Sequence, residues 1–199
     1  ILIVGEWQWP WYEQACADAL SKLGHNVKHF SWLERFRHFR SGVVEPQYLS
    51  KFKEIQNRLI YGPSVFVLNR DLLEIVKEFE PDVFFAYCST HVFPKTLRKI
   101  RQIFPGICLV QYCNDDPFSP HANSLHWRYL KRAIPLYDIN FVYRHHNIND
   151  FKKHGAKKAE LLRSYYIAER NYRVQLNADD NRFACDVVFA GHFEADFRV

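Results

Sequence analysis

The chain has 199 residues, 48% of them hydrophobic and 17% aromatic, which gives ample apolar side chain for one large core and more length than most single domains need. Lysine and arginine number 27 against 22 aspartates and glutamates, a net +5 without a concentrated basic run. This excludes the charge pattern typical of nucleic-acid binders and leaves an anionic small ligand or a peripheral membrane contact. No apolar stretch approaches the roughly 18 residues that span a bilayer and no basic-then-apolar leader precedes the first strand, so a soluble, cytoplasmic protein is expected.

Strand-like apolar runs recur at Ile1 to Val4, Val27 to Phe30, Asp82 to Tyr87, Ile107 to Tyr112, Ile139 to Tyr143 and Ala159 to Leu162. Between the first two, Tyr12 to Leu23 has helical spacing, with Ala15, Ala19, Leu20 and Leu23 on one stripe and Gly24 as the stop. The stretch from Arg35 to Ser64 is irregular, rich in basic and aromatic residues, and predicts a helix around Pro46 to Leu59. Further helices are expected at Val65 to Phe79, ended by Glu80-Pro81-Asp82, and at Pro94 to Phe104, ended by Pro105-Gly106. Ser124 to Ile134 and Asn149 to His154 complete the set. Strands alternating with helices predict the α/β class: a doubly wound parallel, Rossmann-like sheet with right-handed crossovers.

Periodicity fades between residues 167 and 185, a linker-like stretch, after which Asp186-Val187-Val188-Phe189-Ala190-Gly191-His192 repeats the pattern that opens the chain as Ile1-Leu2-Ile3-Val4-Gly5-Glu6: a buried strand running into a glycine turn. The expected organisation is a Rossmann-like domain over residues 1–166, a linker over 167–185, and the first strand and turn of a second domain over 186–199. The chain has no methionine, at position 1 included, as expected of a processed or partial chain. Its cysteines, Cys16, Cys88, Cys108, Cys113 and Cys185, are odd in number and form no CxxC pair, so reduced thiols are expected, most of them buried in strands.

Ligands of an open parallel sheet bind beyond the carboxyl ends of its strands, so the loops there carry the chemistry. The first loop, Gly5-Glu6-Trp7-Gln8-Trp9-Pro10-Trp11-Tyr12, is crowded with aromatics. Their faces stack on sugar rings while their polar edges take hydrogen bonds, although the same residues could cap the core or meet a partner domain. Only Gly5 of a dinucleotide fingerprint is present, which argues against an ordinary NAD enzyme. After the third strand, His91 is placed either as a ligand-facing donor or base or as a structural histidine. After the fourth, Asn114-Asp115-Asp116-Pro117 sets adjacent carboxylates that suit a sugar hydroxyl, a base or a metal, or else a turn or helix cap. After the fifth, Arg144-His145-His146-Asn147 offers a cation and two imidazoles beside a helix start. No histidine spacing matches a zinc pattern, so no metal is expected. A receiver-like phosphoryl-transfer domain is disfavoured by Cys88-Ser89, where its acceptor aspartate would stand.

Val110-Gln111-Tyr112-Cys113-Asn114-Asp115-Asp116-Pro117-Phe118, Tyr137 to Val142 with Asn149 to Ala156, and Cys185 to His192 together resemble, in order and spacing, the amino-terminal half of a GT-B glycosyltransferase of the CgeB-like group, whose members act on spore proteins and polysaccharides. The resemblance implies two facing Rossmann-like domains, an acceptor held mainly by the first, a nucleotide-sugar held mainly by the second, and no cofactor beyond that co-substrate. It implies a catalytic base at Asp115 or Asp116, with His91 and Glu6 as rivals. Substrate contacts are implied at Gly5, Glu6, Trp7, Trp9, Trp11 and Tyr12 of the cleft border and, for acceptor or donor sugar, at Asn114; donor contacts are implied at Gly191 and His192, and Arg144 is a further substrate-binding candidate, placed to meet a phosphate. Arg163-Ser164-Tyr165-Tyr166 departs from the Pro- and Gly-containing turn that the family usually has after the sixth strand. The alternative expectation is a non-catalytic module that recognises a glycan or a partner.

Overall fold

The computed structural model describes residues 1–39, 47–173 and 185–187. Its compact unit is Ile1–Tyr165; residues from Tyr166 onward form a separate, smaller unit. The strands are β1 (Leu2–Gly5), β2 (Lys28–Ser31), β3 (Val83–Tyr87), β4 (Cys108–Cys113), β5 (Ile139–Val142) and β6 (Ala159–Leu161). The helices are α1 (Glu13–Lys22), α2 (Gln47–Leu59), α3 (Pro63–Phe79), α4 (Pro94–Ile103), α5 (Ser124–Ala133) and α6 (His145–Lys153), with 3-10 segments at Leu33–Phe39 and Ile134–Leu136. All pairings are parallel, in the order β2-β1-β3-β4-β5-β6. The expected α/β, Rossmann-like sheet is therefore present.

The period-two alternation of the strands sets which residues meet the helices. In register, Leu2 faces Phe84 and Val4 faces Ala86, and Phe84 in turn faces Leu109. These side chains join Leu68, Leu72 and Val76 of α3 and Leu97 and Ile100 of α4 in one buried cluster. Further along the same face, Cys113 and Val142 gather with Trp127 and Leu130 of α5 and Phe151 of α6. The order in which strands are added reverses at β1, whose partners are β2 and β3. Right-handed connections then put α1 on the opposite face, which makes the sheet doubly wound.

Four sequence expectations need correction. Helix α1 buries Glu13 and Ala17, while Leu23 of the expected stripe is 74% exposed. The helix turns the side with its acid toward the sheet because that acid finds a backbone N–H to bond there. The 3-10 segment Leu33–Phe39 was hidden by the basic residues around it, although Trp32 and Phe36 beside and within it are buried. Helix α6 starts at His145 rather than Asn149. The cysteines are not mostly buried in strands: only Cys108 and Cys113 lie in one, Cys113 alone is buried, and Cys185 is exposed. All five are free thiols.

The strand expected at Asp186 to His192 lies, from Val188 on, outside the described residues. No helix among the described residues is long and apolar enough to cross a membrane.

Candidate functional site

A topological switch point opens where β1 has sent its loop one way and β3 the other, and ligands of such sheets bind there. In this chain the opening is a cleft of about 370 Å³ at the carboxyl ends of β1 to β4. The first loop contributes Glu6, Trp9 and Tyr12 to it, the third His91, and the fourth Asn114 and Asp115. These six of the expected site residues are brought together. Gly5, Trp7, Trp11, Asp116 and Arg144 do not line the cleft, and Gly191 and His192 lie outside the described residues.

The first loop owes its shape to Glu13. This buried carboxylate accepts a hydrogen bond from the Glu6 N–H at 2.7 Å, folding the loop back over the start of α1. A Cβ on Gly5 would run into the Glu13 side chain, so the glycine makes room for Glu13. Burial raises the Glu13 pKa against the opposing backbone N–H groups of Glu13, Trp7 and Glu6. Trp7, at φ 57°, turns aside to meet the His29 ring at 4.9 Å. Trp9 and Trp11 stack at 5.0 Å and 19° and are each 44% exposed, forming an open aromatic shelf whose inner member, Trp9, lines the cleft.

Tyr165 braces this shelf. Its hydroxyl donates toward the carbonyls of Trp11 and Tyr12, 3.1 Å from each, and lies 3.6 Å from the Cys16 sulfur. Burial raises its pKa, so the phenol stays a donor. Tyr165 therefore holds the first loop in place.

His91 forms cleft wall but is not free to act as a base. Its Nε2 lies 2.8 Å from Asn57 Oδ1 and so donates, and its Nδ1 accepts from the Thr90 hydroxyl at 2.9 Å. The ring is stacked on Trp32 at 5.6 Å and tilted against Phe36 at 5.6 Å. Burial, with help from His126, drives its pKa down to about 3, so the imidazole is neutral. The carbonyl of His91 is held in turn by the Asn69 side chain of α3, which also accepts from Phe93 N–H and Thr96 at the start of α4.

Asp115 and Asp116 separate completely. Asp115 is exposed at the cleft, with the Cys88 thiol 3.8 Å from its Oδ2 and His126 facing it closely enough to feel its charge. Asp116 is turned away: it accepts from His146 Nε2 at 2.8 Å, Asn147 Nδ2 at 2.8 Å and Phe118 N–H at 3.0 Å. Burial is the largest single influence on its pKa and pushes upward, but these hydrogen bonds together outweigh it and hold the carboxyl below its usual value. Asp116 clamps the fourth loop to the start of α6 and does not line the cleft, where a catalytic role was expected of it. Arg144 does similar work, donating to the Asn114 carbonyl at 3.3 Å.

The cleft also takes residues that reading the sequence missed. Asn57 and Arg58 come from α2, His126 and Trp127 from α5, and Glu13, Tyr87 and Cys88 from beside the loops. Only Glu13 left a signal, as an acid in the first turn of a helix that follows a glycine loop. With three acids (Glu6, Glu13, Asp115) against Arg58, the wall suits hydroxyl groups better than phosphates. Among the described residues, no three His, Cys, Asp or Glu side chains come together as a metal site.

No family model matches the chain, and no curated protein matches it. Solved structures do. One is that of Glycyrrhiza uralensis UGT73P12 complexed with glycyrrhetinic acid 3-O-monoglucuronide, at 12% identity and a TM-score of 0.43, with 79% of this chain and 41% of that one covered. The chain thus spans less than half the length of that neighbour. Its fold assignment rests on its own strand order.

Proposed function

We propose that this chain is the acceptor-side domain of a GT-B glycosyltransferase, a hexosyltransferase that uses a nucleotide-sugar and no metal. The observation that carries the reading is the cleft at the switch point, where a Trp9–Trp11 shelf stands open beside the exposed carboxylate of Asp115. Aromatic faces bind the apolar faces of sugar rings, and a carboxylate orders their hydroxyls. In the transfer, an acceptor hydroxyl attacks the anomeric carbon, and Asp115 takes its proton as the new glycosidic bond forms. The bond from the anomeric carbon to the diphosphate breaks, and its electron pair leaves on the nucleoside diphosphate. Donor binding falls to a second domain, with Gly191 and His192 in its first turn. The resemblance to the CgeB-like group, with its polysaccharide or protein acceptors, and a cytoplasmic location belong to the same proposal.

The test is nucleoside diphosphate release by the full-length protein from a panel of nucleotide-sugars. One donor should be consumed in the presence of an acceptor glycan, and Asp115→Asn should lower turnover by about 10² to 10⁴ fold while acceptor binding persists. Glycan binding without turnover of any donor would instead establish the non-catalytic module, a reading that the open shelf also supports.

A further inference from the structure

We propose that the helical face beside the cleft docks on an anionic lipid bilayer. Helix α2 exposes Phe52, Ile55 and Leu59, spaced by three and four residues and so on one side. They are 52%, 55% and 43% exposed, where a helix facing water would carry polar groups. Just beyond, Tyr61 and Phe66 are also exposed. Their rings begin an edge-to-face series: Tyr61 to Phe66 at 5.4 Å, Phe66 to Phe93 at 5.5 Å, Phe93 to Tyr129 at 4.8 Å. This series lines a groove of about 480 Å³ between α3, α4 and α5.

Charge identifies the occupant. The groove is edged by Lys95, Arg98 and Arg132, all exposed and without an acid partner among the described residues. Helices α4 and α5 together carry seven lysines and arginines and no acid. Glu54 is the acid on α2; Asp71, the first acid on α3, is held by Arg70. Three exposed cations therefore stand beside exposed aromatic and aliphatic side chains at one groove. An amphipathic ridge with basic flanks suits the interface of a bilayer, where apolar side chains enter the acyl boundary and cations meet anionic headgroups. The same helices line the cleft: α2 through Asn57 and Arg58, α5 through His126 and Trp127. Docking would bring the mouth of the cleft to the headgroup level. It goes beyond glycosyl transfer and does not depend on it.

The experiment is sedimentation of the full chain with phosphatidylcholine vesicles, with and without phosphatidylglycerol. Binding is expected with phosphatidylglycerol, weakening with salt and by roughly fivefold for each cation removed in Arg98→Gln and Arg132→Gln. The pair Ile55→Ser and Phe66→Ser should abolish retention at high salt while leaving the circular dichroism spectrum and thermal transition in place. Equal binding to both vesicles, or anionic binding that none of these substitutions changes, overturns the proposal. So does a concentration-dependent dimer removed by Ile55→Ser with Phe66→Ser, or binding to a single-stranded oligonucleotide in place of vesicles.

Discussion

On the β1 to β4 side of the carboxyl edge, the charged side chains of Asp115 and Arg58 line an open cleft, whereas toward β5 and β6 charged side chains end on one another. Asp115 faces the cleft, but its neighbour Asp116 accepts three hydrogen bonds that join a loop to α6. Arg58 reaches the cleft wall, while Arg144 is spent on the Asn114 carbonyl. At the other end of β5, Asp138 is bonded by Arg101, Lys157 and the Leu109 N–H. Residue type alone therefore says little about function: of two adjacent aspartates, one faces the cleft and the other is absorbed into structure.

The largest difference is expected between substitutions of the two aspartates. Asp115→Asn should cost turnover heavily and leave unfolding within about 0.5 kcal/mol of the parent. Asp116→Ala should do the reverse, losing about 1–3 kcal/mol in denaturant unfolding because His146 and Asn147 lose their acceptor. Equal effects of both substitutions on turnover would erase the distinction.

Acid tests the cleft wall. His91 binds its proton near pH 6.5 when unfolded but only near 3 when folded, so the unfolded chain takes up more protons in between. Stability should be complete above about pH 6.5 and fall by an amount on the order of a few kcal/mol as pH drops toward 3. The lowered pKa of His126 adds to this slope, and the raised pKa of Glu13 opposes it. Asp116 and Asp138, held below the ordinary carboxylate range, act only below about pH 4. Thermal melts at pH 7 and pH 5 should therefore differ in the parent and differ less in His91→Gln.

Gly5→Ala should destabilise by about 1–3 kcal/mol, since the added methyl must displace Glu13 from its bond to Glu6. Pairing it with Glu13→Ala should recover part of that loss, which chemical denaturation would measure. The smallest effect is expected of Tyr165→Phe, about 1 kcal/mol or less, read best as faster hydrogen exchange in the first loop.

The sheet was legible because its central strands β1 and β4, buried at nearly every position, read as apolar runs, and each of the six expected strands formed within a residue or two. The carboxyl-end loops were legible for the same reason: a strand's end names its loop. Which residues would meet there was not. His91 finds Asn57 across 34 positions and Tyr165 finds Trp11 across 154, distances over which no local pattern extends. The two roles of Asp115 and Asp116 were equally hidden, because the turn between them is decided by the start of α6, which lies four residues earlier than its periodicity suggests. The basic face of α4 and α5 escaped notice because its cations are spread along the sequence and are collected only when the helices lie side by side.

The bond from Tyr165 to the first loop also sets an order of events during synthesis. Trp11 and Tyr12 leave the ribosome long before the phenol that steadies their carbonyls, and β1 must wait for β3 before its inner edge is paired. The tryptophan platform is thus translated well before Tyr165 and is among the last parts of the unit to be fastened. A nascent chain halted before residue 165 would carry a sheet without a finished rim.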